Sequence, residues 1–222
     1  MTVLHLADEG EAADLVAFLS RLLHYDRGAA VRLQAAGTAL AVFGRPPSFE
    51  VLTIRAARLA KPYENGLDAT LDVTVSAGEL LEAVDETGAV AGVPGAVTGP
   101  PWAGLLPPRG GWRTEPGLPS LDSLRALVAA GVAEFRVRMG ELTPEGRTRA
   151  ELDRIGRDIW SRTVAGTGLP VRAVHAAQSL GFLRGDGGLG LVSCGAWLRL
   201  RTPYGSVAVR RTGAGTLGIS VA

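Results

Sequence analysis

The chain has 222 residues, with 23 basic and 22 acidic side chains and a net charge of +1. Lys61 is its one lysine. This excludes the glycine-rich P-loop, which needs a lysine to reach phosphate, and leaves a single residue for Schiff-base chemistry. A single cysteine, Cys194, excludes a disulfide framework or a cysteine-rich zinc site, while 46% hydrophobic residues suffice for the core of one large domain or two small ones.

Residues 2–6 read as a short strand. Ala12, Leu15, Val16, Leu19, Leu22 and Leu23 then recur at helical spacing behind Asp8, a candidate N-cap, which predicts an amphipathic helix over residues 9–24 with Gly28 after it. Val31, Leu33 and Ala35 alternate with Arg32 and Gln34 as in a half-buried strand, and the Ala36-Gly37-Thr38 turn leads into a second strand at 39–43. Arg45-Pro46-Pro47-Ser48 breaks the chain before a long strand at 49–59. Over 68–75, Asp68, Thr70, Asp72 and Thr74 share one face. The two aspartates read as a solvated strand face rather than a catalytic pair, because no third polar group accompanies them. Ser76-Ala77-Gly78-Glu79 has the form of a capping box opening a short helix through Val84.

Glycine and proline punctuate residues 86–119, yet Trp102, Leu105, Leu106 and Trp112 are more apolar than a solvated linker requires. They predict a loop that packs on the body or contacts a partner. Residues 120–130 read as helix. Residues 132–139 fit helix or strand, because Phe135, Val137 and Met139 alternate with Arg136 and Arg138. Thr143-Pro144 reads as the next helix start, with Leu152, Ile155, Ile159 and Trp160 as its apolar stripe, and Pro170 opens a further helix that Gly181 stops. The tail is β: strands at 189–193, 197–202 and 206–211, with a Pro203-Tyr204-Gly205 turn.

The order β-α-β-β-β, then β-α, then three tail strands suggests two βαβββ units. The local texture agrees in AVRLQAAGTALAVFG, FEVLTIRAARLA, LDVTVSAGELLEAV and WLRLRTPYGSVAVRR. This resembles one domain of a DNA sliding clamp, the processivity ring of replicative polymerases. The resemblance covers about half the chain and implies an α+β fold whose second βαβββ-like unit is interrupted by a mostly helical insertion. Residues 1–85 and 189–222 would form the clamp-like body, and 86–188 the loop and helical insertion. Clamps present basic helices to DNA. Here the first helix carries Glu9, Glu11 and Asp14 against Arg21, and the second carries Glu79, Glu82 and Asp85 without a base, so these helices would repel a phosphate backbone. The resemblance therefore implies a non-enzymatic interaction or assembly protein, associated with DNA replication or repair, rather than a ring around DNA.

Charge is unevenly distributed. Residues 1–100 hold 13 acids and 7 bases, and residues 170–222 hold one acid and six arginines. An acidic first half and a basic tail predict either head-to-tail self-association into an oligomer or a polyanionic partner for the tail. Arg199, Arg201, Arg210 and Arg211, with Trp197 and Tyr204, are the candidate contacts on that tail. Arginine beside aromatics suits nucleic acid, although a GC-rich bacterial genome that avoids lysine would also put arginine on any solvent face. The alternative reading is thus a nucleic-acid-binding regulator. In a winged helix-turn-helix version, the helix at 170–180 would read DNA with only Arg172, His175, Gln178 and Ser179.

Other signals are weaker. Residues 185–190 match GxGxxG, but after a helix and before a strand, the reverse of the dinucleotide-binding order, so they read as a turn. Gln178-Ser179-Leu180-Gly181-Phe182-Leu183 faintly resembles clamp-docking peptides at a helix end. His5, His24 and His175 have no partner at metal-ligand spacing, and Cys194 has no evident base. No cofactor, metal or catalytic residue is expected. The acidic start and the proline-broken apolar stretches predict neither signal peptide nor membrane span, hence a cytoplasmic protein.

Overall fold

A computed structural model describes residues 2–61 and 71–211. The elements in chain order are β1 (Val3–His5), α1 (Glu9–Tyr25), β2 (Ala30–Ala36), β3 (Ala39–Gly44), a 3₁₀ turn at Pro47–Phe49, β4 (Leu52–Arg58), β5 (Leu71–Ser76), α2 (Ala77–Glu82), β6 (Val84–Asp85) and β7 (Val90–Gly92). A 3₁₀ turn at Pro101–Gly104 follows, then β8 (Arg113–Glu115), α3 (Leu121–Gly140), α4 (Arg149–Trp160), α5 (Val171–Ser179), β9 (Gly190–Cys194), β10 (Trp197–Thr202) and β11 (Gly205–Arg210). The fold is α+β, as the sequence and its clamp resemblance imply.

The helices begin where side chains supply the missing acceptors. Asp8 accepts from the Glu11 amide, Ser76 from Glu79, Ser120 from Ser123 and Thr148 from Glu151, each satisfying one of the amides a helix N-terminus leaves free. Residues 132–139 are helical. Glu134 and Arg138 lie one turn apart and pair with each other and with Arg162 and Asp158 beside α4, while Val137 stays 60% exposed. The apparent strand alternation thus does not correspond to burial. Thr143 does accept from the Gly146 amide, but only a turn follows, and α4 is capped five residues later by Thr148.

Eight strands form one sheet in the order β5-β2-β3-β4-β11-β10-β9-β8, and β1-β7-β6 form a second. All pairs are antiparallel. The large sheet is two four-stranded halves, β5-β2-β3-β4 and β11-β10-β9-β8, and in each a helix leads into a three-strand meander. The halves meet where β4 pairs with β11 at Ile54–Ser206, Thr53–Val207 and Leu52–Ala208, only three residue pairs. β5 and α2 run on into β6 and β7, which pair back to β1, and the tail meander carries its own opening strand, β8. These three short strands lie in or beside the stretch that reads as loop.

The main core lies on one face of the large sheet, under α1, α3 and α5. It includes Leu15, Phe18, Leu19 and Leu22 of α1, Val31 and Leu33 of β2, Leu124 and Val128 of α3, Val174 of α5, and Leu198, Leu200 and Val207. Phe18 stacks on Phe182 at 5.9 Å. Gly205 is required here: a Cβ on it would sit 2.5 Å from the Phe182 ring. Gly205→Ala should lower the unfolding free energy by about 2 kcal/mol, the usual scale of overpacking, read as a lower denaturant midpoint at unchanged slope.

Candidate interaction surfaces

The opposite face of the large sheet carries its own small apolar cluster, Phe43, Leu52, Ile54 and Ala208, with Ala41, Trp102, Leu106 and Trp197 packed against it. The glycine- and proline-rich segment lies over this face as a strap. At one end Val97 donates to the Thr74 carbonyl of β5. Next, the Ala103 carbonyl accepts from Arg32, whose guanidinium also holds Asp72 at 2.7 and 3.0 Å. Trp102 and Leu106 cover the apolar cluster, and at the far end the Gly110 carbonyl faces the Cys194 thiol at 3.5 Å before β8 pairs with β9. Trp102 and Leu106 therefore pack on the body, Leu105 is 50% exposed, and Trp112 is half-buried. Asp72 is held below the ordinary carboxylate range by its hydrogen bonds to Arg32, so it is a paired surface group; Asp68 lies outside the described residues.

Register places the tail residues. Trp197 pairs with Arg210, Arg199 with Ala208 and Arg201 with Ser206, so Trp197, Arg199, Arg201 and Arg210 share the strap face. Arg199 is half-buried: its Nε donates to Ser206 Oγ at 2.8 Å, and its Cζ lies 5.7 Å from the Trp112 ring. Burial, with a smaller contribution from Arg201, pushes its pKa down to about 10. Arg210 lies 5.9 Å from the Trp197 ring. Arg201 and Arg210 are exposed and form no ion pair among the described residues, and Arg211 donates to the Gly195 carbonyl.

Tyr204 is on the other side. Its ring lies 4.1 Å from the Arg184 guanidinium, and its carbonyl accepts from Arg55. It belongs to an ion cluster that the sequence does not announce. Arg55 of β4, only 5% exposed, points under α1 and binds Glu11 at 2.7 Å and Asp14 at 3.2 Å. Arg184 also binds Asp14, and Arg58 binds Glu11 and Asp8, each at 3.0 Å. Two of the three α1 acids read as repelling DNA, Glu11 and Asp14, are thus engaged inside the protein. The four acids at the other end of the sheet, Glu79, Glu82, Asp85 and Glu86, are exposed and without ion pairs among the described residues.

Two of the three histidines lie against rings, and His5 is exposed on β1. His175 stacks on Trp160 at 4.1 Å and meets Phe49 edge-on at 5.0 Å; Phe49 in turn meets Tyr25, and Tyr25 meets His24. Among the described residues no group of three His, Cys, Asp or Glu is arranged to hold a metal, and no helix is long and apolar enough to cross a membrane.

The chain is similar in structure to two crystal structures of the DNA polymerase sliding clamp from Pseudomonas aeruginosa, the first of them with ligand, at TM-scores of 0.47 and 0.48 and 14% identity in both, covering 90% and 95% of this chain. The chain spans 62% and 64% of those clamp chains. Residues 1–104 match a domain of unknown function, DUF8010, and residues 107–214 match a second, DUF8185. The boundary between the two matches falls within the strap, and each matched segment supplies one four-stranded half of the large sheet. No curated protein matches the chain.

Two predictions follow from the ion cluster and the ring stack. Arg55→Ala removes the one buried cation facing Glu11 and Asp14, which keep only the more exposed Arg58 and Arg184, and should cost about 2 kcal/mol of unfolding free energy, whereas Arg58→Ala at the exposed rim should leave the urea midpoint nearly unchanged. Burial holds the His175 pKa below its ordinary 6.5. The unfolded chain therefore takes up the proton first as pH falls through 6.5, and stability is lost on the acid side. Thermal melts across about pH 5–8 should show a flatter pH dependence for His175→Gln than for the parent.

Proposed function

We propose that the chain is a non-enzymatic interaction protein whose copies associate head to tail. The observation that carries this reading is opposite charge on the two halves of one sheet. Exposed Glu79, Glu82, Asp85 and Glu86 flank the β5 end of the first half, and exposed Arg201 and Arg210 lie on β10 and β11 of the second, in both cases without ion pairs among the described residues. A surface complementary to a different surface of the same molecule makes heterologous contacts, which build rings or filaments. The strap adds apolar area next to the arginines, with Leu105 exposed and Trp102 and Trp112 half-covered. The clamp-like outline agrees with a role as a scaffold in DNA transactions.

A second reading has the arginine end take nucleic acid. It is favoured by two guanidinium-over-indole pairs, Arg199 with Trp112 and Arg210 with Trp197, on one face.

Sedimentation velocity should show larger species at low ionic strength that dissociate as salt rises. Glu82→Lys with Glu86→Lys should be monomeric, as should Arg201→Glu with Arg210→Glu, and mixing the two variants should restore mixed assemblies. A chain that stays monomeric at low salt and high concentration overturns the head-to-tail reading.

A further inference from the structure

Arg199 and Arg201 are the least explained charges in the molecule. They are alternate residues of one strand, so their Cα atoms are about 6.8 Å apart and their side chains leave the same face. Like charges so placed repel, and neither has a carboxylate within ion-pair distance among the described residues. Arg199 is also partly desolvated, yet only its Nε has a protein partner, Ser206 Oγ; the rest of its donor fork is unused. By contrast the buried guanidinium of Arg55 has Glu11 and Asp14, and the half-exposed Arg184 has Asp14. A desolvated guanidinium beside a second one, with no counter-charge, is the complement of an anion bearing more than one negative oxygen.

The surroundings narrow the choice of anion. The Trp112 indole lies beside Arg199 and the Trp197 indole beside Arg210, both half-exposed, so planar apolar surface alternates with positive charge along this face. An acidic peptide would use the charges and leave the rings without a match. A single nucleic-acid strand uses both, placing successive phosphates on guanidiniums and unpaired bases on indoles. A duplex offers the phosphates but keeps its bases stacked.

We propose that the strap face of β10 and β11 is a single-strand nucleic-acid site, in which Arg199 and Arg201 hold neighbouring phosphodiesters while Trp112 and Trp197 stack on bases. This rests on the second reading above and names its ligand. The site also overlaps the arginine end used in head-to-tail contact, so the strand and a second copy compete for it.

The test uses the full chain, a labelled oligothymidylate, a duplex of equal length and inorganic pyrophosphate, with fluorescence anisotropy and tryptophan quenching as readouts. Expected are binding of the single strand that weakens steeply with salt, at least tenfold weaker binding of the duplex, and quenching that Trp112→Ala reduces. Arg201→Gln, on an exposed side chain that leaves folding intact, should weaken binding at least tenfold. Arg199→Gln should do the same, with its thermal melt checking the fold. Duplex binding as tight as single-strand binding, if abolished by Arg201→Gln, overturns the single-strand site and leaves the second reading standing. Binding of pyrophosphate alone, or strand binding that Arg201→Gln leaves unchanged, overturns the proposed site. No binding of any probe overturns both.

Discussion

Strands β4 and β11 meet over three residue pairs, and the two halves of the large sheet depend on what reinforces that short joint. On the core face the reinforcement is the Arg55 guanidinium. It leaves β4 one residue from the paired stretch, reaches Glu11 and Asp14 of α1, and donates to the Tyr204 carbonyl at the head of β11. One cation thereby ties the first helix, the last strand of the first half and the last hairpin together. Removing it would leave Glu11 and Asp14 with only the more exposed Arg58 and Arg184 as partners. On the opposite face the strap bridges the same joint by apolar contact, with Trp102 and Leu106 over Leu52, Ile54 and Ala208.

This arrangement changes the meaning of the acidic first helix. In sequence, Glu9, Glu11 and Asp14 read as a surface hostile to phosphate. In the fold, Glu11 and Asp14 neutralise arginines on β4 and after α5. The free acid of the first half is concentrated instead on α2, β6 and the turn after it, in the half of the sheet away from Arg199, Arg201 and Arg210. Net charge says nothing of this. Position in the sheet does, because the register that brings Arg199, Arg201 and Arg210 to one face also separates them from every described acid of α2.

Much of the fold was legible. Asp8 and Ser76 cap helices as their side chains suggest, and β2, β3, β10 and β11 follow their alternation. The elements that escaped are those whose stability is not local. β6, β7 and β8 have two or three residues each and exist only because a partner strand supplies their hydrogen bonds. The site was half legible. Arg199, Arg201, Arg210 and Trp197 do gather on one face, whereas Tyr204 sits beyond the strand end and turns to the other. Trp112 stands apart from the tail in sequence and joins Arg199 only through the strap. Arg55 gave one available signal: an arginine inside a strand that is apolar on both faces must find a carboxylate, and α1 presents two on one side.

The strap is also the one covalent passage between the halves. Every element from β1 to β7 precedes it and every element from β8 to β11 follows it, and among the described residues the chain does not cross a second time. Two polypeptides cut within it would each keep a complete set of consecutive strands and would present complementary edges, β4 on one and β11 on the other. The architecture is therefore suited to conversion into a split protein, whose reassembly would report the proximity of whatever is fused to its pieces.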